Sequence, residues 1–264
     1  DLPLSRGLGD VYKRQTEAAA LITDYLRDKL CPSGPGRKAV ELEFEKVLWP
    51  TILYSKKRYA FLKHTEVGKP GKVGAMGLQL VRRDLCSASR DLMWDTISAV
   101  LKDRDPQKAR AILLQRLDAI VARELPVADM STTKSLGHDY KCTPPAQANV
   151  AEAQRARGVD VVDGDRVEYI FTVQEGRIQS ERAEDPTFAV ENGVEIDYAA
   201  IVEKQFKKPV SDLLGPVPGL DDIGSIFQRY ISQLRKQQRP AERKVEQQAK
   251  RMRPITDFFK APLP

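Results

Sequence analysis

Leu53-Tyr54-Ser55-Lys56-Lys57-Arg58-Tyr59-Ala60 follows closely on Glu41-Leu42-Glu43-Phe44-Glu45-Lys46. In the upstream segment Val40, Leu42 and Phe44 alternate with Glu41, Glu43 and Glu45, which predicts a strand. The downstream segment belongs to a β-rich run over 51–64. Two lysines, an arginine and a tyrosine stand together there, offering cations to phosphates and a ring to a base or sugar. On a strand, side chains alternate, so Lys57 and Tyr59 share one face and Lys56 and Arg58 the other. The first pair would then sit about 7 Å apart, near the spacing of successive phosphates on one nucleic-acid strand. Taken alone, the same residues also suit a solvated edge strand, where lysines discourage edge pairing.

Working outward, residues 16–30 place Leu21, Ile22, Tyr25, Leu26 and Leu30 on one helical stripe, ended by the Pro- and Gly-rich loop 31–36. Residues 66–77 hold four glycines and a proline, so they read as a hairpin loop or flexible connection, and 78–85 as extended chain again. Beyond Ser87 the pattern turns helical. Ser89 is the expected cap of a helix with Leu92, Met93, Ile97, Val100 and Leu101 on its stripe. Asp105-Pro106 opens the next helix, whose apolar face is Ile112, Leu113, Leu117, Ile120 and Val121. Val167, Tyr169, Phe171 and Val173 alternate, and Glu175-Gly176 turns them into a two-stranded ribbon. Helices follow over 197–207 and 221–236. Residues 237–251 are polar and basic, with no apolar stripe to bury, and read as a solvated helix or disordered tail.

The 264 residues carry 30% charged side chains and a formal net charge of +6. That balance permits nucleic-acid binding without demonstrating it. No apolar run approaches the roughly 20 residues that cross a bilayer, and the start lacks a secretory pattern. Cys31, Cys86 and Cys142 are far apart and odd in number, which supports neither a disulfide framework nor a zinc knuckle and suggests a reducing, intracellular setting. Residues 1–15 lack apolar periodicity, and the stretch from Leu4 to Gln15 looks like a translated sequencing-adapter tail. They are expected to be a disordered leader outside the fold.

Lys56-Lys57-Arg58-Tyr59, downstream of Leu42-Glu43-Phe44-Glu45-Lys46, resembles the KKxY motif of family B DNA polymerases. Gly77-Leu78-Gln79-Leu80-Val81-Arg82-Arg83-Asp84-Leu85-Cys86 resembles the RRD block that follows it in delta-like enzymes. Met76 and Gln79 stand where that block usually has Lys and Glu, and Phe61 replaces a common Gly. Thr133-Lys134-Ser135-Leu136 resembles a thumb block, with Asn149 in place of its usual His. Gly164-Asp165-Arg166-Val167-Glu168-Tyr169-Ile170 and Arg182-Ala183-Glu184-Asp185-Pro186 match two further blocks, and Ile196-Asp197-Tyr198 matches the start of a third. Capping and turn chemistry alone accounts for Asp165, Asp185 and Asp197.

The resemblance implies an α+β chain: the end of a polymerase palm, with antiparallel strands plus helix, then a mainly helical thumb with a β-hairpin. The boundaries expected are a leader over 1–15, palm over 16–88, thumb over 89–236 and a basic tail over 237–264. It implies that Lys56, Lys57, Arg58, Tyr59, Arg82, Arg83 and Lys134 contact primer–template DNA, with Asp84 holding one guanidinium in place. Two metal-binding carboxylates serve phosphoryl transfer in that family. The blocks that supply them do not occur here, so no catalytic or metal-ligating residue is assigned. Mg2+ and dNTP are expected for a longer parent enzyme and not for this chain alone. Glu43 and Glu45 do not replace the carboxylates, and His64 and His138 are isolated.

Met252-Arg253-Pro254-Ile255-Thr256-Asp257-Phe258-Phe259 places one aliphatic and two aromatic residues on a single helical turn. It resembles the peptide that enters a PCNA-like sliding clamp, with Met252 in place of Gln and Ile255, Phe258 and Phe259 as the plug. The absence of cysteine clusters after the thumb-like blocks favours enzymes like those of large eukaryotic DNA viruses, or a distant microbial relative. The setting expected is the host nucleus or a cytoplasmic viral factory, with no membrane partner. The alternative is a standalone DNA- and clamp-binding protein without catalysis. An unrelated RNA-binding protein would need stacking aromatics or Gly-rich motifs that are not in this chain.

Overall fold

The computed structural model describes residues 3–30, 32–34, 40–66, 69–141, 143–173 and 178–251. They divide into two compact units, Asp1–Gly77 with Leu101–Arg104, and Leu78–Val100 with Asp105–Pro264.

The first unit opens with α1 (Pro3–Leu30), which begins well before Thr16. The 1–15 stretch expected to be a disordered leader is therefore helical from Pro3, a residue well suited to a first helical position. The face that α1 buries also differs from the expected stripe. Ala19 and Thr23 are buried, whereas Leu21, Tyr25 and Leu30 are exposed at 73%, 62% and 67%. Polar bonding decides this choice. The Thr23 hydroxyl accepts from Leu42 N at 2.9 Å, Arg27 Nε donates to Val40 O at 2.7 Å, and the Tyr12 and Phe44 rings meet edge-on at 4.5 Å. The Val40–Glu45 alternation, expected to be a strand, is extended chain laid along α1 and joins no ladder. Side chains of the helix serve its backbone groups instead.

β1 (Val47–Ser55), β2 (Arg58–His64) and β3 (Lys72–Met76) form an antiparallel meander in sequence order. β3 lies in the segment expected to be loop. Its glycines serve close packing: a Cβ at Gly74 would stand 2.7 Å from the Phe61 ring, and one at Gly71 2.6 Å from Leu62 Cγ. Residues 78–85, expected to be extended, instead make a short 3-10 turn at Gln79–Val81 that buries Leu80.

The second unit is mainly helical. α2 (Ser87–Ser98) is capped by Cys86, not Ser89, and runs into a π-helical turn at Ala99–Asp103. Ser89 is buried inside α2, where its hydroxyl donates to Gln205 O at 2.7 Å. α3 (Pro106–Val121) starts as expected: the Asp105 carboxylate accepts from Lys108 N at 3.0 Å and Pro106 needs no donor. α3 buries Ala109, Leu113, Leu117 and Ile120, spaced three and four apart. After α4 (Val127–Met130), β4 (Thr132–Ser135) pairs with β5 (Arg166–Phe171), and α5 (Ala146–Ala156) lies between them in sequence.

The Glu175-Gly176 turn expected after β5 lies outside the described residues, and the strand that pairs back onto β5 is short. A 3-10 turn at Gln179–Arg182 leads to β6 (Ala183–Glu184), which pairs with Ile170 and Phe171. α6 (Pro186–Glu191), α7 (Tyr198–Ile201), a π-helical turn (Val202–Lys207) and α8 (Lys208–Leu214) follow, and α9 (Ile223–Arg251) is the long last helix. Phe206, Phe227, Leu92, Met93, Ile97 and Leu113 are among the fully buried side chains of this unit's core. α9 packs its apolar stripe, Ile226, Phe227, Tyr230, Ile231 and Leu234, into the same interior. No helix of the described residues is long and apolar enough to cross a membrane.

Candidate nucleic-acid interface

Ser55 and Arg58 face each other across the β1–β2 ladder, so Lys56 and Lys57 are the two-residue turn between the strands. This corrects the expected strand placement, in which Lys57 and Tyr59 shared a face. The lysines instead stand at the tip of a hairpin, both exposed, and only Arg58 and Tyr59 belong to a strand. Lys57 has φ 62°, a left-handed conformation that costs an ordinary side chain about 1–2 kcal/mol. Gly77, just past β3, seats this turn. It has φ +67°, and a Cβ there would lie 2.2 Å from Lys57 O. Only a bare backbone approaches so closely.

Tyr59 is anchored rather than free. Its hydroxyl donates to Met76 Sδ at 3.1 Å, and its ring centroid is 5.6 Å from that of Phe61. Met76 is thus the hydroxyl's partner. Neither Gly77 nor Met76 was read as supporting the KKRY residues from sequence, because their link to the turn runs across the β2–β3 pairing of Tyr59 with Met76.

The remaining cations expected at the site belong to the second unit. Arg82 donates from Nε to Asp84 Oδ1 at 3.0 Å and from Nη2 to Asp84 Oδ2 at 2.8 Å, a two-pronged pairing that uses one edge of its fork. Asp84 therefore holds a guanidinium, and Arg83 beside it is exposed. Asp84 also helps push the Tyr169 hydroxyl up to about 12, behind the larger effect of burial. That places the RRD turn near β5, whose Val167 is the ladder partner of half-buried Lys134. Arg82, Arg83 and Lys134 thus all belong to the second unit, while Lys56, Lys57, Arg58 and Tyr59 belong to the first unit's hairpin.

The acids of the other matching blocks do architectural work. Asp185 caps α6 by accepting from Phe188 N at 2.9 Å, and Asp197 caps α7 by accepting from Ala200 N at 2.8 Å. Asp165 accepts from Val162 N at 2.9 Å within its turn. Asn149 donates to Ser180 O at 2.9 Å. His138 pairs with Asp163 at 2.6 Å on the surface and holds that carboxyl below its usual range. Among the described residues no group of three or more His, Cys, Asp or Glu is placed to hold a metal ion. Met252, Ile255, Phe258 and Phe259 lie outside the described residues.

Cys86 is a buried free thiol whose burial pushes it up to about 12, so it is held in the unreactive thiol form. In a Cys31→Ser/Cys142→Ser background, a disulfide-exchange reagent at about pH 8 is expected to leave the native protein unlabelled and to label it once unfolded. Full labelling in native buffer would refute this.

The first unit is thus an antiparallel sheet with a basic hairpin tip, and the second a helical unit carrying an RRD turn and a small ribbon. The family model for DNA polymerase family B matches residues 32–217, and the chain belongs to that family. A DNA polymerase of Paramecium bursaria Chlorella virus NY2A is 33% identical over 235 residues, covering 83% of this chain and 25% of that protein. A DNA polymerase delta catalytic subunit of Candida albicans is 32% identical over 188 residues, covering 69% of this chain and 18% of its own length. The family B DNA polymerase of the archaeon Pyrobaculum calidifontis shares the fold, with a TM-score of 0.52 at 22% identity over 74% of this chain and 24% of that one. The chain thus spans about a quarter or less of the length of these relatives.

Proposed function

We propose that this chain is the primer–template-holding, C-terminal part of a DNA-directed DNA polymerase, and that the Lys56–Lys57 hairpin tip grips the duplex phosphates. The observation that carries this is the exposed pair of lysines on a turn whose left-handed residue is seated by Gly77. A solvated edge would not require lysine in a conformation that glycine adopts at less cost. Arg83, Lys134 and Arg82, the last oriented by Asp84, are further phosphate ligands on this reading, in the second unit.

Template-directed nucleotidyl transfer needs metal-bound carboxylates, and no such cluster occurs among the described residues, so on this reading Mg2+ and dNTP are bound by a longer parent enzyme. On the same reading the 252–259 peptide, by its sequence, enters a sliding clamp of the PCNA type, and the parent enzyme is viral and acts in a host nucleus or cytoplasmic factory. The reading as a standalone DNA- and clamp-binding protein would leave the hairpin chemistry unchanged.

Lys57 separates binding from folding. Lys57→Ala is expected to flatten the salt dependence of duplex affinity by about 0.9 units of log K per log salt. Lys57→Gly should flatten it equally while leaving the first unit as stable or more so, because glycine removes the left-handed cost. Fluorescence anisotropy over a salt series, with a denaturation curve for each variant, measures both. An unchanged slope in both variants would remove Lys57 from the interface.

A further inference from the structure

Met93 and Met130 are each 1% exposed, whereas Met76 is 52% exposed at the end of β3. Its thioether is also engaged. Tyr59 and Met76 face each other across the β2–β3 ladder, and the Tyr59 hydroxyl donates to Met76 Sδ at 3.1 Å. The Tyr59 ring lies beside that of Phe61, which packs on bare Gly74, so the hydroxyl is held where it meets the sulfur. An ammonium, the usual group at this position in the resembling block, has no acceptor to offer. The bond therefore comes with the methionine.

Two properties of this pair point to oxidation. A thioether is polarizable and reacts with peroxides where solvent can reach it, and buried methionines are shielded. A sulfur lone pair attacks one oxygen of a hydroperoxide, the S–O bond forms and the O–O bond breaks. Sulfur is oxidised and the peroxide reduced; with hydrogen peroxide, the leaving hydroxide takes the proton of the transferred oxygen and departs as water. The product is also a better partner for Tyr59. Thioether sulfur is a weak acceptor, whereas a sulfoxide presents a strongly polar oxygen. A tyrosine hydroxyl has one proton to donate, so a proton given firmly to the sulfoxide is withheld from a phosphate.

We propose that Met76 is a site of reversible oxidation, and that its sulfoxide holds the Tyr59 hydroxyl away from DNA. The second half rests on the reading of Tyr59 as a primer–template contact. The full chain, Met76→Leu, Tyr59→Phe and Lys57→Ala are each treated with hydrogen peroxide. Oxygen uptake at each methionine is followed by peptide mass spectrometry, and duplex affinity by anisotropy before and after. Met76 is expected to be oxidised well ahead of Met93 and Met130. Affinity of the full chain should then fall about 2–10-fold, the worth of one hydrogen bond, and return on treatment with methionine sulfoxide reductase. Met76→Leu and Tyr59→Phe should each show the same affinity before and after peroxide. Leucine preserves the volume and cannot be oxidised.

Oxidation of Met76 no faster than that of Met93 and Met130 would overturn the proposal. So would an undiminished affinity after Met76 is oxidised, or an equal loss in Met76→Leu or Tyr59→Phe. If oxidation leaves affinity unchanged while Lys57→Ala still flattens the salt slope, the hairpin reading survives the failure. A peroxide-dependent loss that needs both Met76 and Tyr59, with Lys57→Ala silent, would uphold the proposal and remove only Lys57 from the interface.

Discussion

Gly77→Ala is expected to collapse the hairpin tip. The new methyl would stand 2.2 Å from Lys57 O, a separation no real contact tolerates, and its own φ of +67° is left-handed. The conformational cost is about 1–2 kcal/mol, and displacing a backbone carbonyl adds about 1–3 kcal/mol. The obstacle is main chain, so no side-chain rotation relieves it. Two of the residues nearest the new methyl, Lys57 and Arg58, belong to the proposed phosphate-binding set. Stability and binding should therefore fall together: early unfolding of the first unit, and duplex affinity no better than that of a Lys56→Ala/Lys57→Ala protein. Denaturant unfolding and a binding titration on the same sample check this. A variant with unchanged melting and affinity would show that the turn can move without consequence.

The second large effect lies in the other unit. Glu184, 9% exposed at its side chain, accepts from Arg157 Nη1 at 2.9 Å and from Nη2 at 2.8 Å. Glu184 also accepts from Asp185 N at 2.8 Å, and Asp185 receives Gln154 Nε2 at 2.6 Å while capping α6. The Arg157 guanidinium lies 3.4 Å from the centre of the Phe188 ring. One carboxylate thus ties α5, β6 and α6 together. Removing it leaves a partly buried guanidinium unpaired, which typically costs 3–5 kcal/mol. Arg157 keeps some water, so Glu184→Gln is expected near the low end, about 3 kcal/mol. For a unit of this size that corresponds to a fall of roughly 6–12 °C in melting temperature. Arg157→Met in the same background should recover part of the loss, and a double-mutant cycle reads that coupling. Additive losses would mean the pair does not act as a unit.

How much of this was legible depended on whether the deciding interaction was local. Asp105, Asp185 and Asp197 cap helices three residues ahead of themselves, and a short window contains everything needed to see it. The KKRY turn was not legible because Ser55-Lys56-Lys57-Arg58 lacks the Asn-Gly or Asp-Gly signal of a two-residue hairpin. Lys57 goes left-handed against a support, Gly77, that reaches it only through the folded sheet. β3 was hidden by glycines that resemble a loop but make room for Phe61 and Leu62. The apolar stripe of α1 was read correctly as periodic, yet Thr23 and Arg27 turned a different face inward by bonding residues 40–42. Of the expected DNA-contacting residues, the chemistry and the Asp84 hold on one guanidinium were visible in the sequence, while the tip geometry of Lys56 and Lys57 and the choice of Arg82 over Arg83 needed the fold.

The central claim is that the Lys56–Lys57 tip holds duplex DNA. Both side chains are exposed, so their acylation by acetic anhydride can be followed by mass spectrometry with and without a primer–template. The expected result is strong protection of Lys56 and Lys57 in the complex, while exposed lysines elsewhere in the first unit, such as Lys63 and Lys69, react as before. Equal acylation of the tip lysines in free protein and saturated complex would contradict the account.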